Sequence, residues 1–108
     1  MKKVYRIKKS QEFQQILSYK RFYSSPAFVL YVKPRKEDIS RIGISVGKKL
    51  GNAVQRNKIK RQVRMMVQDI YDFHENFDTI ILVRAKYHEE NYINNKKCLE
   101  RLVKKVKI

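Results

Sequence analysis

Tryptophan is absent from the 108 residues, and there are only three glycines, two prolines and one cysteine. The lone Cys98 excludes an internal disulfide and fits a reducing compartment, so a cytoplasmic protein is expected. No run of 18 apolar residues occurs, so no helix is expected to span a membrane. The first nine residues lack an apolar segment of signal-peptide length. There is no Walker loop and no GxGxxG, and hence no sign of a small-molecule substrate held by its phosphates. Repeats and low-complexity tracts are also missing. Acid is scarce relative to base: ten Asp and Glu stand against 26 Lys and Arg, for a formal charge of +16 and a pI near 10.1. Self-repulsion on that scale opposes compaction, and an anionic partner relieves it. A hydrophobic fraction of 43% nevertheless exceeds that of a disordered basic tail, and the length predicts one domain over 1–108.

The shortage of acid is complete between residues 40 and 68, where there is none, while Arg41, Lys48, Lys49, Arg56, Lys58, Lys60, Arg61 and Arg64 all occur. An isolated helix gains from interspersed opposite charges, so leaving them out suggests a polyanion in their place. Gly47 and Gly51 bracket Lys48, Lys49 and Leu50, and glycine permits left-handed backbone and close approach of another chain. Asn52 is a good N-cap, which predicts a helix from Ala53. A helix start behind glycine and beside lysines suits a phosphate, through free N–H groups and the helix dipole. At 100° per residue, Ile59, Val63, Met66, Val67 and Ile70 form one apolar stripe, and Arg56, Asn57, Lys60, Arg61 and Arg64 share an adjacent face roughly 140° wide. One face is built for packing, and its neighbour is a cationic comb suited to nucleic acid.

In chain order the pattern predicts a basic arm over 2–9 and a short helix over 10–19, capped by Ser10 with Glu12 in its first turn. A short strand starts at Phe22 and Tyr23. A central strand over 27–33 follows, with Phe28, Leu30 and Val32 alternating with Val29, Tyr31 and Lys33. After a turn at 34–38 comes a strand over 39–46, whose Gly43 and Ser45 make one face small. The basic helix runs over 53–72, and a continuous apolar strand of the buried, parallel kind lies within 77–85. A loop at 87–90 leads to a last helix capped by Asn91, with Tyr92, Leu99, Leu102, Val103 and Val106 inward. The order is αβββαβα and the class α+β: a four-stranded sheet packed with helices. A strand, a crossover helix and a strand predict a parallel pair, and the general rule makes that crossover right-handed.

The chemistry-bearing residues do not assemble into a catalyst. His74 and His88 have no neighbours at distinctive metal spacing, and Cys98 sits at helical spacing beside Leu99 and Leu102, as a packed thiol does. Asp69 and Asp72 could share a metal, but a solvated carboxylate pair is the better reading, so no metal site and no catalytic residue is expected in the protein. The aromatics, seven Tyr and five Phe, suit an unpaired strand whose bases stack on rings. Phe13 and Tyr31 are candidates for one groove.

Residues 51–64, Gly-Asn-Ala-Val-Gln-Arg-Asn-Lys-Ile-Lys-Arg-Gln-Val-Arg, resemble the signature helix of the bacterial ribonuclease P protein family. That pattern is an RNR-type core after a Ser-Lys-Lys-x-Gly-Asn-Ala-Val turn. Gly47 stands in place of the usual serine, and Lys58 keeps the charge of an arginine but not its planar fork. Leu17 stands where an aromatic is common, Lys20 where glycine is usual, and residues 19–26 depart most. The resemblance implies a two-layer sandwich like domain 2 of ribosomal protein S5, with a left-handed βαβ crossover. It implies a protein subunit of ribonuclease P that binds the catalytic RNA subunit and the 5′ leader of precursor tRNA. The RNA, using Mg2+, would remove the leader to give the mature 5′ end. Lys48, Lys49, Asn52, Arg56, Asn57, Lys58, Lys60, Arg61 and Arg64 would contact the RNA subunit, and Phe13, Leu17, Phe28 and Tyr31 would line the leader cleft. Two rivals remain at this stage. One is a ribosome-associated structural RNA-binding protein. The other is a peripheral membrane protein, which the lack of an outward Phe or Leu beside the comb argues against.

Overall fold

The structure, a computed structural model, describes residues 3–71 and 73–106. Four strands, β1 (Phe22–Ser24), β2 (Phe28–Pro34), β3 (Ile42–Val46) and β4 (Phe77–Val83), form one sheet in the order β1-β2-β4-β3. β4 is antiparallel to β2, with Leu30 opposite Ile81 and Tyr31 opposite Ile80, and parallel to β3, with Gly43 opposite Ile80. It is therefore central, which is why its sequence is an unbroken apolar run. Three helices, α1 (Ser10–Ser18), α2 (Ala53–Ile70) and α3 (Tyr92–Lys104), complete the expected α+β order, and α2 is the crossover between the parallel strands.

Strand alternation divides the interior in two. On one face Phe28, Leu30, Val32, Ile42, Ile81 and Val83 meet the α2 stripe Ile59, Val63, Met66 and Val67 and the α3 residues Leu99 and Leu102. On the other, Ile80 packs with Ile7 and Ile16, and Phe13, Leu17, Tyr31 and Leu82 lie half-buried around them. Among the described residues, α1 and Ile7 of the arm cover that second face, and the sheet around Tyr31 is only partly covered.

Several boundaries differ from the sequence pattern. The strand expected over 39–46 begins at Ile42, because the main-chain N–H of Arg41 donates to Asp78 Oδ1 at 2.9 Å and that of Ser40 to the Phe73 carbonyl. The loop expected at 87–90 falls largely within a 3-10 turn at Ala85–Glu89, tied down by Asn95 Nδ2 donating to the Tyr87 carbonyl at 3.0 Å. α2 ends at Ile70, since Tyr71 turns extended and buries its ring against Phe73. The basic arm is docked: Tyr5 stacks on Phe73 at 4.1 Å, and the buried Ile7 donates its N–H to the Ile42 carbonyl at 3.0 Å.

Arg41, counted among the cations of the acid-free stretch, is neutralised from afar. Its guanidinium pairs with Glu12 of α1 and stands 3.8 Å from Asp78. The hydrogen bond from Arg41 holds the Glu12 carboxyl below its usual range, whereas burial pushes Asp78 up, opposed by Arg41. This cluster fastens α1 to the sheet and leaves Arg41 apart from the cations of α2.

Candidate nucleic-acid interface

The turn that launches α2 is held by reciprocal caps. Asn52 accepts the Gln55 main-chain N–H through its side chain at 2.9 Å, and the Gln55 side chain accepts the Asn52 N–H at 2.8 Å. This capping box fixes the helix start and engages two of its N–H donors. Gly51 has φ +131°, and a Cβ there would collide with the Gln55 amide. Gly47 has an ordinary φ of −74° and nothing near the place a Cβ would occupy, so of the two bracketing glycines only Gly51 is required. Gly51→Ala is expected to break the capping box and cost about 1–2 kcal/mol, lowering the melting midpoint by roughly 5–10 °C. Gly47→Ser should leave the midpoint unchanged. Equal melting of both variants would refute the assigned roles.

Between the glycines, Lys48 and Lys49 are exposed on a 3-10 turn at Lys48–Leu50. Leu50 is buried beneath it, and His88 Nε2 lies 2.8 Å from the Leu50 carbonyl, so the turn presents its lysines from an anchored base. Arg56, Lys60 and Arg64 follow at one-turn intervals, each half-buried, with Asn57 and Arg61 more exposed beside them. Lys58 does not join this row. It sits about 200° around the helix from Arg56 and lines a separate cavity of about 390 Å³ with Gln55, Gln62, Tyr87, His88 and Tyr92. There Tyr87 donates its hydroxyl to Gln62 Oε1 at 2.8 Å, and burial pushes the Tyr87 pKa to about 12. Val54 and Met65 also face solvent on α2, apolar positions the sequence reading passed over.

The far end of the comb reaches the second face of the sheet. Arg64 lines a small notch of about 190 Å³ together with Arg6, Lys8, Phe13, Gly43 and Ile44. Burial, and then the charge of Arg6, lower the Arg64 pKa. Two guanidinium groups are thus held in mutual repulsion across a cleft, an arrangement that a phosphate would relieve. Phe13 forms the wall because Gly43 has no side chain: a Cβ there would lie 2.6 Å from Phe13 Cζ and 2.8 Å from Ile80 Cδ1. The sequence reading missed Arg6, Lys8 and Gly43. The small face of β3 was its one hint.

Phe13, Leu17 and Tyr31 are brought together with Ile7, Ile16, Ile80 and Leu82. Phe28 is not, and its expected place in the cleft is incorrect. It is fully buried on the opposite face of the sheet, edge-on to Tyr87 with ring centroids 5.7 Å apart. Residues 28 and 31 have opposite parity on one strand, so they cannot share a face. Asp69 pairs with Lys96 of α3 at 2.8 Å, and Asp72, its suggested companion, lies outside the described residues. Among the described residues no group of three or more His, Cys, Asp or Glu is placed to hold a metal ion, and no helix is long and apolar enough to cross a membrane.

A family profile described as Ribonuclease P matches residues 1–107. The ribonuclease P protein component of Mesoplasma florum is 48% identical over 99 residues, covering 90% of each chain. That of Mycoplasma capricolum is 47% identical over 103 residues, covering 94% of each. Among solved structures, the Staphylococcus aureus RNase P protein superposes with a TM-score of 0.84 at 38% identity, over 93% of both chains. The RNase P protein of Thermotoga maritima has the same fold, with a TM-score of 0.82 at 24% identity over 95% of this chain and 98% of its own.

Proposed function

The chain belongs to the ribonuclease P protein family, and from that premise we propose that it is the accessory protein subunit of the endoribonuclease that matures tRNA 5′ ends. Its comb and basic turn (Lys48, Lys49, Asn52, Arg56, Asn57, Lys60, Arg61 and Arg64) bind the catalytic RNA subunit, with Lys58 reaching RNA from the other flank of α2. The partly covered sheet face, with Phe13, Leu17 and Tyr31, holds the 5′ leader of precursor tRNA. Hydrolysis of the phosphodiester belongs to the RNA subunit with Mg2+. Three of the protein's ten acids are held in ion pairs, Glu12 and Asp78 with Arg41 and Asp69 with Lys96.

The observation that carries this reading is the notch where Arg64, from the comb, and Phe13, from the groove, line one surface across Gly43. A single RNA strand passing there meets cations and an aromatic wall together, the combination that unpaired nucleic acid requires. Lys33 shares the strand face of Tyr31, so a base on the ring would have its phosphate near an ammonium.

Tyr31→Ala in the reconstituted holoenzyme tests the groove. Affinity for precursor tRNA with a long leader should fall by about 1–3 kcal/mol, the usual worth of one stacking platform. Affinity for mature tRNA, which has no leader, should barely change. Parallel losses for both ligands, with a lowered melting midpoint, would show that Tyr31 serves the core instead.

A further inference from the structure

We propose that the leader groove continues past Tyr31 to the outer edge of the sheet, where Phe22 forms a second platform for an unpaired nucleobase; this rests on the leader-groove reading above. Phe22 lies on β1, the edge strand, directly opposite Tyr31 in the register. Cross-strand partners point to the same face, so Phe22 extends the surface that carries Tyr31. The two ring centroids are 5.5 Å apart, with the planes tilted by 35°. That geometry leaves one continuous aromatic wall rather than a closed stack. Phe22 is 56% exposed, so its ring is open to solvent beside that of Tyr31.

Charge identifies the occupant. From Phe13 to Lys36 there is no Asp or Glu, while Lys20, Arg21, Lys33, Arg35 and Lys36 all occur. This is a second acid-free stretch, separate from the α2 comb; Lys20 and Arg21 immediately precede Phe22 in the chain, and Lys33 shares the strand face of Tyr31. Lys20, between α1 and β1, has φ +62°, a conformation that glycine adopts without strain. A cation is thus kept at a position where a smaller, neutral residue would fit the backbone better. Exposed aromatic rings beside cations suit a single-stranded polyanion whose bases stack while its phosphates meet those cations. The ligand is the next unpaired nucleotide of the strand already held at Tyr31.

The test uses the protein reconstituted with the RNA subunit and precursor tRNAs whose leaders lengthen one nucleotide at a time. With Phe22→Ala, affinity should match the unmodified protein for leaders too short to pass Tyr31. For longer leaders it should fall about fivefold to a hundredfold, the effect of one lost stacking platform. Phe22→Tyr should restore affinity and Phe22→Leu should not, since leucine fills space without a π-face. Rescue by Phe22→Leu, or an equal loss on mature tRNA, would overturn the proposal. So would affinity unchanged at every leader length. A Tyr31→Ala arm separates the two claims. If Tyr31→Ala loses leader-dependent affinity and Phe22→Ala does not, the groove stands and its extension falls. If neither variant changes anything, both fall.

Discussion

Replacing Arg56, Lys60 and Arg64 together with alanine is expected to weaken binding to the RNA subunit by about 3 kcal/mol, roughly a hundredfold, at about 1 kcal/mol per contact. The sharper signature is salt dependence. Each phosphate contact contributes about 0.7–0.9 to the slope of log affinity against log salt, so the triple variant should lose about 2–3 from that slope. The geometry allows this without damage to the fold. All three side chains lie off the buried stripe of Ile59, Val63, Met66 and Val67. Arg64 is partly desolvated and repelled by Arg6, so its removal relieves a native-state cost. Alanine is also the best helix former. The melting midpoint should therefore hold or rise while RNA affinity drops. An unchanged salt slope would exclude this face as the RNA-binding surface.

Much of that face was legible in the sequence. The α2 stripe and comb follow from a 3.6-residue period, and the helix bounds agree to within two residues at the C-terminal end. Asn52 was readable as a cap, but the reciprocal contact from Gln55 depends on Gly51 adopting φ +131°, which spacing alone does not dictate. The place of Lys58 on the opposite flank was implicit in the same helical period. The alternation of β2 likewise already separated Phe28 from Tyr31; the resemblance placed both in the cleft, and strand parity decides against it.

What could not be read comes from contacts between distant residues. The stretch 40–68 lacks acid in sequence but not in space, because Glu12 and Asp78 arrive from α1 and β4 to neutralise Arg41. The segment over 2–9 reads only as a basic arm, yet Tyr5 and Ile7 dock it beside β3 and bring Arg6 and Lys8 to Arg64. Gly43 looks like a small residue in a strand, and only the position of Phe13 shows that its missing Cβ admits the ring. Local periodicity laid out the elements, while tertiary docking built the notch at which comb and groove meet.

The largest expected effect is all-or-none and concerns chemistry. Two of the protein's carboxylates, Glu12 and Asp78, are engaged by Arg41. Activating water for phosphodiester hydrolysis takes a free general base or a bound metal near the substrate, and the proposed division of labour assigns it to the RNA subunit. The most direct measurement is cleavage of precursor tRNA by rigorously RNA-free protein, with and without Mg2+, beside the same protein reconstituted with the RNA subunit. The expected result is no leader release from the protein alone under either condition, and release at the mature 5′ end once the RNA subunit is added. Metal-dependent cleavage at that site by the RNA-free protein would contradict it.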